Sequence, residues 1–312
     1  MDKINAVIYL ATLKPAVDKM SEFSTIGLTG RNNSEIVDSL QAVVGVLEGA
    51  EGINIVLDVN VANLLKANKY PEFPLEQLSS ECDLVIVVGG DGSLLQTASI
   101  LADHDLPVAG INRGRLGFLT DILPNEIEST LKQILGGQYK IESRFLLDMF
   151  IGSDKQEYLG SALNDIVLHP GKAVQMIEFE LYIDNEFVYN QASDGLIIAT
   201  PTGSTAYAMS AGGPIMHPRL DAIVLVPINP HSLSSRPIVV EGNRELTLVV
   251  GDRHNILPQL SCDGAMSHAC SPGDRITIRK KPKQLKILHP ADYDYYETCR
   301  SKLGWSHRPT NR

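Results

Sequence analysis

Residues able to do chemistry gather at three places in this 312-residue chain, each where an apolar run stops. The first is Gly89-Gly90-Asp91-Gly92, which follows Leu84-Val85-Ile86-Val87-Val88. Glycines without side chains let a phosphate approach backbone N–H groups and the start of a helix, where aligned peptide dipoles favour anions. Asp91 puts a carboxylate into that anion-accepting turn. The second place is Asn164-Asp165, inside the apolar stretch Ser161 to Pro170. Neighbouring strand residues face opposite ways unless a bulge or strand end intervenes, so one of the two must meet something polar. The third is Asp194-Gly195, followed by Leu196 to Ala199 and then Thr200-Pro201-Thr202-Gly203-Ser204-Thr205-Ala206-Tyr207. Small hydroxyls and backbone donors at that density suit a ribose, a pyrophosphate or both.

Each place also has a plain structural reading. Asp-Gly is a common turn dipeptide, Asn-Asp a common strand end, and Thr/Ser clusters cap helices. Three polar, small-residue junctions at the ends of apolar strands are costly unless they share a ligand, and that joint occurrence favours a binding site. His169, His217, His231 and His289, each next to or one residue from a proline, keep the structural reading.

The elements needed to hold these residues can be traced along the sequence. Ala6 to Leu10 is expected as a first strand, Asn33 to Leu47 as a helix and Ile53 to Val59 as a strand; Asp58 to Lys69 and the Pro71/Pro74 segment are read as connections. Leu84 to Val88 reads as a strand buried on both faces, and Leu94, Leu95, Ala98, Leu101 and Ala102 as the apolar face of the helix after the turn. Leu106 to Ile111 gives another strand, Asn112 to Phe118 a glycine-rich loop, and Pro124 opens a helix closed by Gly136-Gly137. This alternation predicts a doubly wound, Rossmann-like α/β domain over 1–142. Strands then follow one another, with a hairpin of Ile177 to Ile183 and Phe187 to Gln191 and further strands at Ile223 to Ile228, Pro237 to Val240, Leu246 to Val250 and Arg275 to Arg279. The expectation is an all-β, β-sandwich-like domain over 143–285, with a tail over 286–312 returning to the N-terminal domain.

Composition narrows the partners. Apolar residues make up 44% and charged residues 21%, the balance of a globular protein. With 27 basic and 37 acidic residues the formal charge is −10, which argues against nucleic acid or an anionic membrane as principal partner. No run reaches the roughly 18 to 20 apolar residues of a membrane-spanning helix. Cys82, Cys262, Cys270 and Cys299 lack CxxC spacing and read as free thiols in a reducing compartment, so the expected location is the cytoplasm. There is no GxxxxGK[ST] loop, and Gly90-x-Gly92-x-x-Leu95 lacks the third glycine of the dinucleotide fingerprint. No HExxH, zinc-ligand spacing or GxSxG is present either, so the expectation is no protein-held metal site and no acyl-transfer nucleophile.

Gly89 to Gly92, Asn164-Asp165 and Asp194 to Tyr207, in this order and spacing, resemble the three signature blocks of NAD kinases. Asn112 to Thr120 resembles the family's loop, and Ser301-Lys302-Leu303-Gly304-Trp305 the end of its proteobacterial branch. The likeness runs from about Ile4 to Trp305. The third block is long and specific, whereas the first is shared with diacylglycerol and sphingosine kinases and phosphofructokinases.

The resemblance implies ATP- and divalent-metal-dependent phosphorylation of the adenosine ribose 2′-hydroxyl of NAD, with Mg²⁺ arriving with ATP, and a homo-oligomer (dimer or tetramer) built through the β-rich domain. It implies Asp91 as proton acceptor, with Gly92 allowing the nucleotide to approach. Asn164, Asp165 and Asp194 would hold polar groups of the dinucleotide, and Thr205, Ala206, Tyr207 and Ser210 would line the same pocket. Phe118 and Thr202 join them as binding candidates. Two positions depart from the pattern: Ala192 stands where enterobacterial members carry an arginine associated with preferring NAD over NADH, and Gln175 where relatives carry a histidine. The rivals are a GGDG-type lipid or sugar kinase, which gives no reason for the third block, and a non-catalytic NAD(H) sensor, which gives none for an intact Asp91.

Overall fold

A computed structural model describes residues 21–66, 69–114, 116–171, 175–253, 256–265 and 268–305. The strand expected over Ala6 to Leu10 lies outside the described residues, as does Arg115 of the glycine-rich loop. The first described strand is instead β1 (Thr25–Gly30), in a stretch the sequence pattern had not marked. Its two glycines, which resemble turn residues, are there for close approach. A Cβ on Gly27 would fall 2.7 Å from Leu78 Cδ2, and one on Gly30 2.6 Å from the Val88 carbonyl oxygen.

The α/β part continues through α1 (Val37–Glu48), β2 (Asn54–Asp58), α2 (Val59–Leu65), β3 (Glu72–Phe73), α3 (Leu75–Glu81), β4 (Leu84–Val88), α4 (Asp91–Asp103), β5 (Pro107–Ile111) and α5 (Ile127–Leu135). Helix α2 and strand β3 occupy the connection expected over 58–74, and α3 follows directly after it. Each helix has only seven residues, too short for an apolar period to stand out, and α2 starts where Asp58 accepts the Asn60 N–H at 2.7 Å. The strands pair in parallel in the order β5-β4-β1-β2-β3. The uninterrupted apolar run of β4 follows from burial on both sides. Leu84, Ile86 and Val88 pack with Leu40, Val43 and Leu47 of α1 and Leu131 of α5, while Val85 and Val87 pack with Leu78 of α3 and Leu94, Ala98 and Leu101 of α4.

The β-rich part contains β6 (Tyr139–Ile151), β7 (Glu157–Ala162), β8 (Asp165–His169), β9 (Ile177–Ile183), β10 (Glu186–Ser193), β11 (Gly195–Ala199), the short α6 (Tyr207–Ser210), β12 (Ala222–Ile228), β13 (Ile238–Glu241), β14 (Leu246–Val250), β15 (Gln259–Cys262), β16 (His268–Ala269) and β17 (Arg275–Pro290). The β9–β10 hairpin turns on Asp184 and Asn185, both left-handed at φ 50° and 67°, as a twist-compatible two-residue turn requires. A six-stranded sheet, β13-β12-β11-β8-β15-β16, faces the antiparallel strands of an eleven-stranded one. Between them lies an apolar core that includes Phe179, Leu181, Leu248, Ile276 and Ile278 against Ile166, Leu168, Leu196, Ile198 and Leu225. The architecture is the α/β domain and β-sandwich the sequence predicts.

The two parts are stitched together by one ribbon. β17 is far longer than the five residues expected of it. It pairs antiparallel with β6 from Ile276↔Ile151 to Pro290↔Tyr139, with β14 from Arg275 to Ile278, and in parallel with β5 at Lys286↔Pro107 and Ile287↔Val108. The boundaries expected at 142/143 and 285/286 thus fall inside β6 and β17. Beyond the ribbon, α7 (Tyr295–Leu303) is capped by Asp294 and closed by Gly304 at φ 66°. The tail meets the α/β part through its strand, whereas α7 leans on 216–217, with the Tyr295 hydroxyl 3.3 Å from the Met216 carbonyl oxygen. All four cysteines are free, and no helix among the described residues is long and apolar enough to cross a membrane.

At the register shift of β17 between Lys280 and Gln284, the buried Lys281 ammonium lies 3.0 Å from Asp103 at the end of α4 and 3.5 Å from the buried Asp148 of β6. Removing one partner of a buried pair strands the other's charge. Lys281→Met is therefore expected to lower unfolding stability by about 3 kcal/mol in denaturant melts, with Asp148→Asn on the same chain recovering part of the loss. A loss below about 1 kcal/mol would show the pair to be screened by water.

Candidate active site

The Gly89–Gly92 turn sits at the carboxyl end of the parallel sheet, beside the point where strand order reverses between β1 and β4; open α/β sheets bind ligands there. Gly89 has φ 153°, and a Cβ on it would fall 2.2 Å from Ser93 Oγ. Gly90 caps α4, and Asp91 is the helix's first residue. Arg31, the residue after β1, donates to the Gly92 carbonyl oxygen (3.0 Å) and to Gln96 Oε1 (3.0 Å). A recess of about 500 Å³ opens here, lined by Thr29, Arg31, Asp58, Asn60, Ser93 and Thr97 among others.

Asp91 is held by the glycine-rich loop. Its Oδ2 accepts the Phe118 N–H at 2.8 Å, while Oδ1 accepts the N–H groups of Leu119 (3.1 Å) and Thr120 (3.0 Å) and the Thr120 hydroxyl (2.9 Å). With Oδ1 saturated, the remaining acceptor capacity of the carboxylate lies on Oδ2. Gly117 makes this possible, since a Cβ there would sit 2.1 Å from Asp91 Oδ1. Asn112 steadies the loop by donating to Thr120 Oγ1 at 2.8 Å.

The second and third blocks meet in a cleft of about 880 Å³, whose lining includes Asn164, Asp165, Asp194, Ala206, Tyr207 and Asp263. Asn164 ends the segment before β8, gripped from both sides. Its carbonyl oxygen accepts the Thr200 N–H at 2.9 Å, and a Cβ on Gly203 would meet that same oxygen at 2.1 Å. Asp194 accepts from Asn229 Nδ2 at 2.9 Å. The Asp165 carboxyl, buried in the cleft wall with no hydrogen-bond partner among the described residues, is pushed up to about 7, first by burial and then by the neighbouring charge of Asp263. A cleft so rich in acceptors suits a ligand that presents hydroxyl and amino donors, as a nucleoside does.

The other candidates stand apart from this lining. Thr202 is buried in the turn, Thr205 donates to its carbonyl oxygen at 3.2 Å, and Ser210 is exposed at the end of α6. Gln175 is exposed before β9. Ala192 lines a separate recess of about 480 Å³ with Tyr189, His231 and Arg236. Phe118 joins Asp91 only through its backbone. The two centres are linked by packing, since Leu163, next to Asn164, shares a buried cluster with Leu94 of α4 and Leu119 of the loop.

Sequence reasoning missed Asp263. Its carboxylate accepts the N–H groups of Leu163 (2.8 Å), Asn164 (2.8 Å) and Asp165 (3.0 Å). A signal existed: Asp263-Gly264 is one of three Asp-Gly pairs in the chain, and the other two close the first block and open the third. The Arg31 contact and the grip of Thr120 had no comparable mark, because they join residues distant in sequence.

Comparison with known proteins agrees over most of the chain. Residues 33–139 match the family model described as the ATP-NAD kinase N-terminal domain, and residues 163–290 that of the ATP-NAD kinase C-terminal domain. The chain is 54% identical to an NAD kinase of Azotobacter vinelandii over 93% of its own length and 98% of the relative's. It is 52% identical to one of Pseudomonas putida, over 94% and 99%. Among solved structures, yeast NADH kinase complexed with NADH superposes with a TM-score of 0.81 at 24% identity, covering 92% of this chain and 90% of that one. An NAD kinase from Archaeoglobus fulgidus in complex with ATP gives 0.66 at 27% identity, covering 90% and 97%.

The raised Asp165 carboxyl makes stability depend on pH. An unfolded aspartate titrates near about 3.9, so between about 4 and 7 the native state holds the extra proton and stability falls as pH rises. Asp165→Asn removes that dependence. Its melting temperature is expected to match wild type at about pH 4 and to exceed it increasingly towards pH 7 to 8, by several degrees; a gap that stays constant with pH would show that Asp165 does not titrate in this range.

Proposed function

The chain belongs to the NAD kinase family, phosphotransferases with an alcohol acceptor, and on that premise we propose that it transfers the γ-phosphoryl group of ATP to the adenosine ribose 2′-hydroxyl of NAD, yielding NADP and ADP. The observation that carries the residue assignment is the pairing of a loop-held carboxylate, Asp91, with an acceptor-rich cleft whose second block packs against the same apolar cluster. In this reading Asn164, Asp165 and Asp194 receive the amino and hydroxyl donors of the dinucleotide. Ala206 and Tyr207 flank it, and Thr202, Thr205 and Ser210 shape the segment that carries them. Phe118, Gln175 and Ala192 belong to its outer margin.

A ribose hydroxyl is a weak nucleophile, and phosphoryl transfer runs through a loose transition state, so alignment and charge neutralisation matter more than early proton removal. Asp91 meets both demands. Its loop-bound oxygen fixes its direction, and Oδ2 takes the hydrogen bond and finally the proton of the 2′-hydroxyl as the new P–O bond forms and ADP leaves. Gly90 and Gly92 leave the donor's phosphates room at the start of α4, with the Arg31 guanidinium close by. A divalent cation, Mg²⁺ in this proposal, is carried by the triphosphate and offsets its charge beside Asp91. We further propose a cytoplasmic homo-oligomer assembled through the β-rich part, where edge strand β10 leaves Phe187 and Val188 exposed.

The direct test is to incubate the protein with NAD, ATP and Mg²⁺ and to detect NADP with an NADP-specific dehydrogenase. No NADP would reject the reading, and transfer to a lipid or sugar would establish a rival. Asp91→Asn is expected to lose about 100-fold or more in kcat with KM for NAD within about threefold; an unchanged kcat would remove Asp91 from the mechanism. With Ala192 in place of arginine, kcat/KM for NAD is expected to exceed that for NADH by less than about tenfold, and a far larger preference would clear this position of a role.

A further inference from the structure

Asp263 lies in the turn after β15 with its backbone left-handed at φ 48°. It grips the second block from the side opposite Thr200. Oδ2 accepts from Leu163, Oδ1 accepts from both Asn164 and Asp165, and the Asp263 N–H donates to the Asp165 carbonyl oxygen at 3.0 Å. Three consecutive N–H groups that converge on one short side chain need two acceptor oxygens, which only a carboxylate supplies at this length.

We propose that Asp263 is a positioning residue for the dinucleotide: by seating its carboxylate in the N–H groups of Leu163, Asn164 and Asp165, it sets the direction in which Asn164 and Asp165 face the cleft. The proposal rests on the kinase reading above and adds a residue to it. The clasp also brings a second carboxylate beside the buried Asp165, at the expense of like-charge repulsion. Burial pushes Asp263 upward against the pull of its three N–H bonds, and its charge contributes to the raised Asp165. Asp263 therefore helps to decide how much of Asp165 is ionised near neutral pH. Among the described residues, the other titratable groups around Asp165 are Cys262 on β15, pushed up to about 12 and hence neutral, Asp148 on β6, His169 at the far end of β8, and Asp194 and Tyr207 in the same cleft lining.

The test compares wild type, Asp263→Asn and Thr200→Val, after wild type has been shown to make NADP; failure at that first step would reject the kinase reading itself. In Asp263→Asn the amide nitrogen faces the N–H of Leu163 and one acceptor is lost. KM for NAD is expected to rise about tenfold, with kcat within about threefold and KM for ATP unchanged. The pH midpoint for KM of NAD should also move lower, because a neighbouring negative charge has gone. Thr200→Val removes the opposite grip, the hydroxyl bond to the Leu163 carbonyl oxygen at 2.5 Å, without touching charge. It should raise KM for NAD while leaving the midpoint in place. If Asp263→Asn does not accumulate in folded form, Thr200→Val decides by the same KM-against-kcat split. Unchanged KM for NAD in a folded variant, or a loss confined to kcat and melting temperature, would overturn the proposal.

Discussion

The site depends on one device used twice: an aspartate seated in three successive backbone N–H groups. Asp91 occupies the row 118–120, and Asp263 the row 163–165. Loops carry function in a fold like this only if something fixes them, and a carboxylate is the shortest side chain able to satisfy several donors together. The glycine-rich loop after β5 and the junction of β7 with β8 provide the rows, and the Asp-Gly turns provide the carboxylates. Glycines at 117 and 203 then allow backbone and side chain to meet without a Cβ between them.

This arrangement divides the charge of the site. Around the start of α4 the recess sets the Arg31 guanidinium and the hydroxyls of Thr29, Ser93 and Thr97 beside the carboxyl groups of Asp58 and Glu76. The larger cleft carries Asp165, Asp194 and Asp263, suited to hydroxyl and amino donors. On a chain with a formal charge of −10, Arg31 places a cation at the start of α4. The sheet itself sets the separation, since the β1/β4 switch point makes one site and the end of β8 the other.

Much of this was legible in the sequence because it is local. Five apolar residues running into glycines could only be a buried strand meeting a turn, and the helix after it followed from spacing. β1 escaped because half its character lies in glycines placed for close approach, which look like turn residues until the neighbouring helix is known. β6 and β17 escaped for another reason. Tyr139-Lys140-Ile141-Glu142-Ser143 and Lys280-Lys281-Pro282-Lys283 carry no apolar alternation, yet both lie within long strands because β6 and β17 supply each other's partners from far along the sequence, Tyr139 to Ser143 pairing with Pro290 to Lys286. Asp263 had a local mark, its Asp-Gly pair, but its meaning lay in three N–H groups about a hundred residues earlier.

That long ribbon bears on how the chain reaches its native state. β5 gains a neighbour on one side only when Ile287 pairs with Val108, so during synthesis the parallel sheet waits, with one edge open, until almost the last strand has left the ribosome. Contacts of such sequence separation make folding slow and bind the two layers into one cooperative event. The last strand to be made is also the one that closes both halves, and a truncated nascent chain holds neither in finished form.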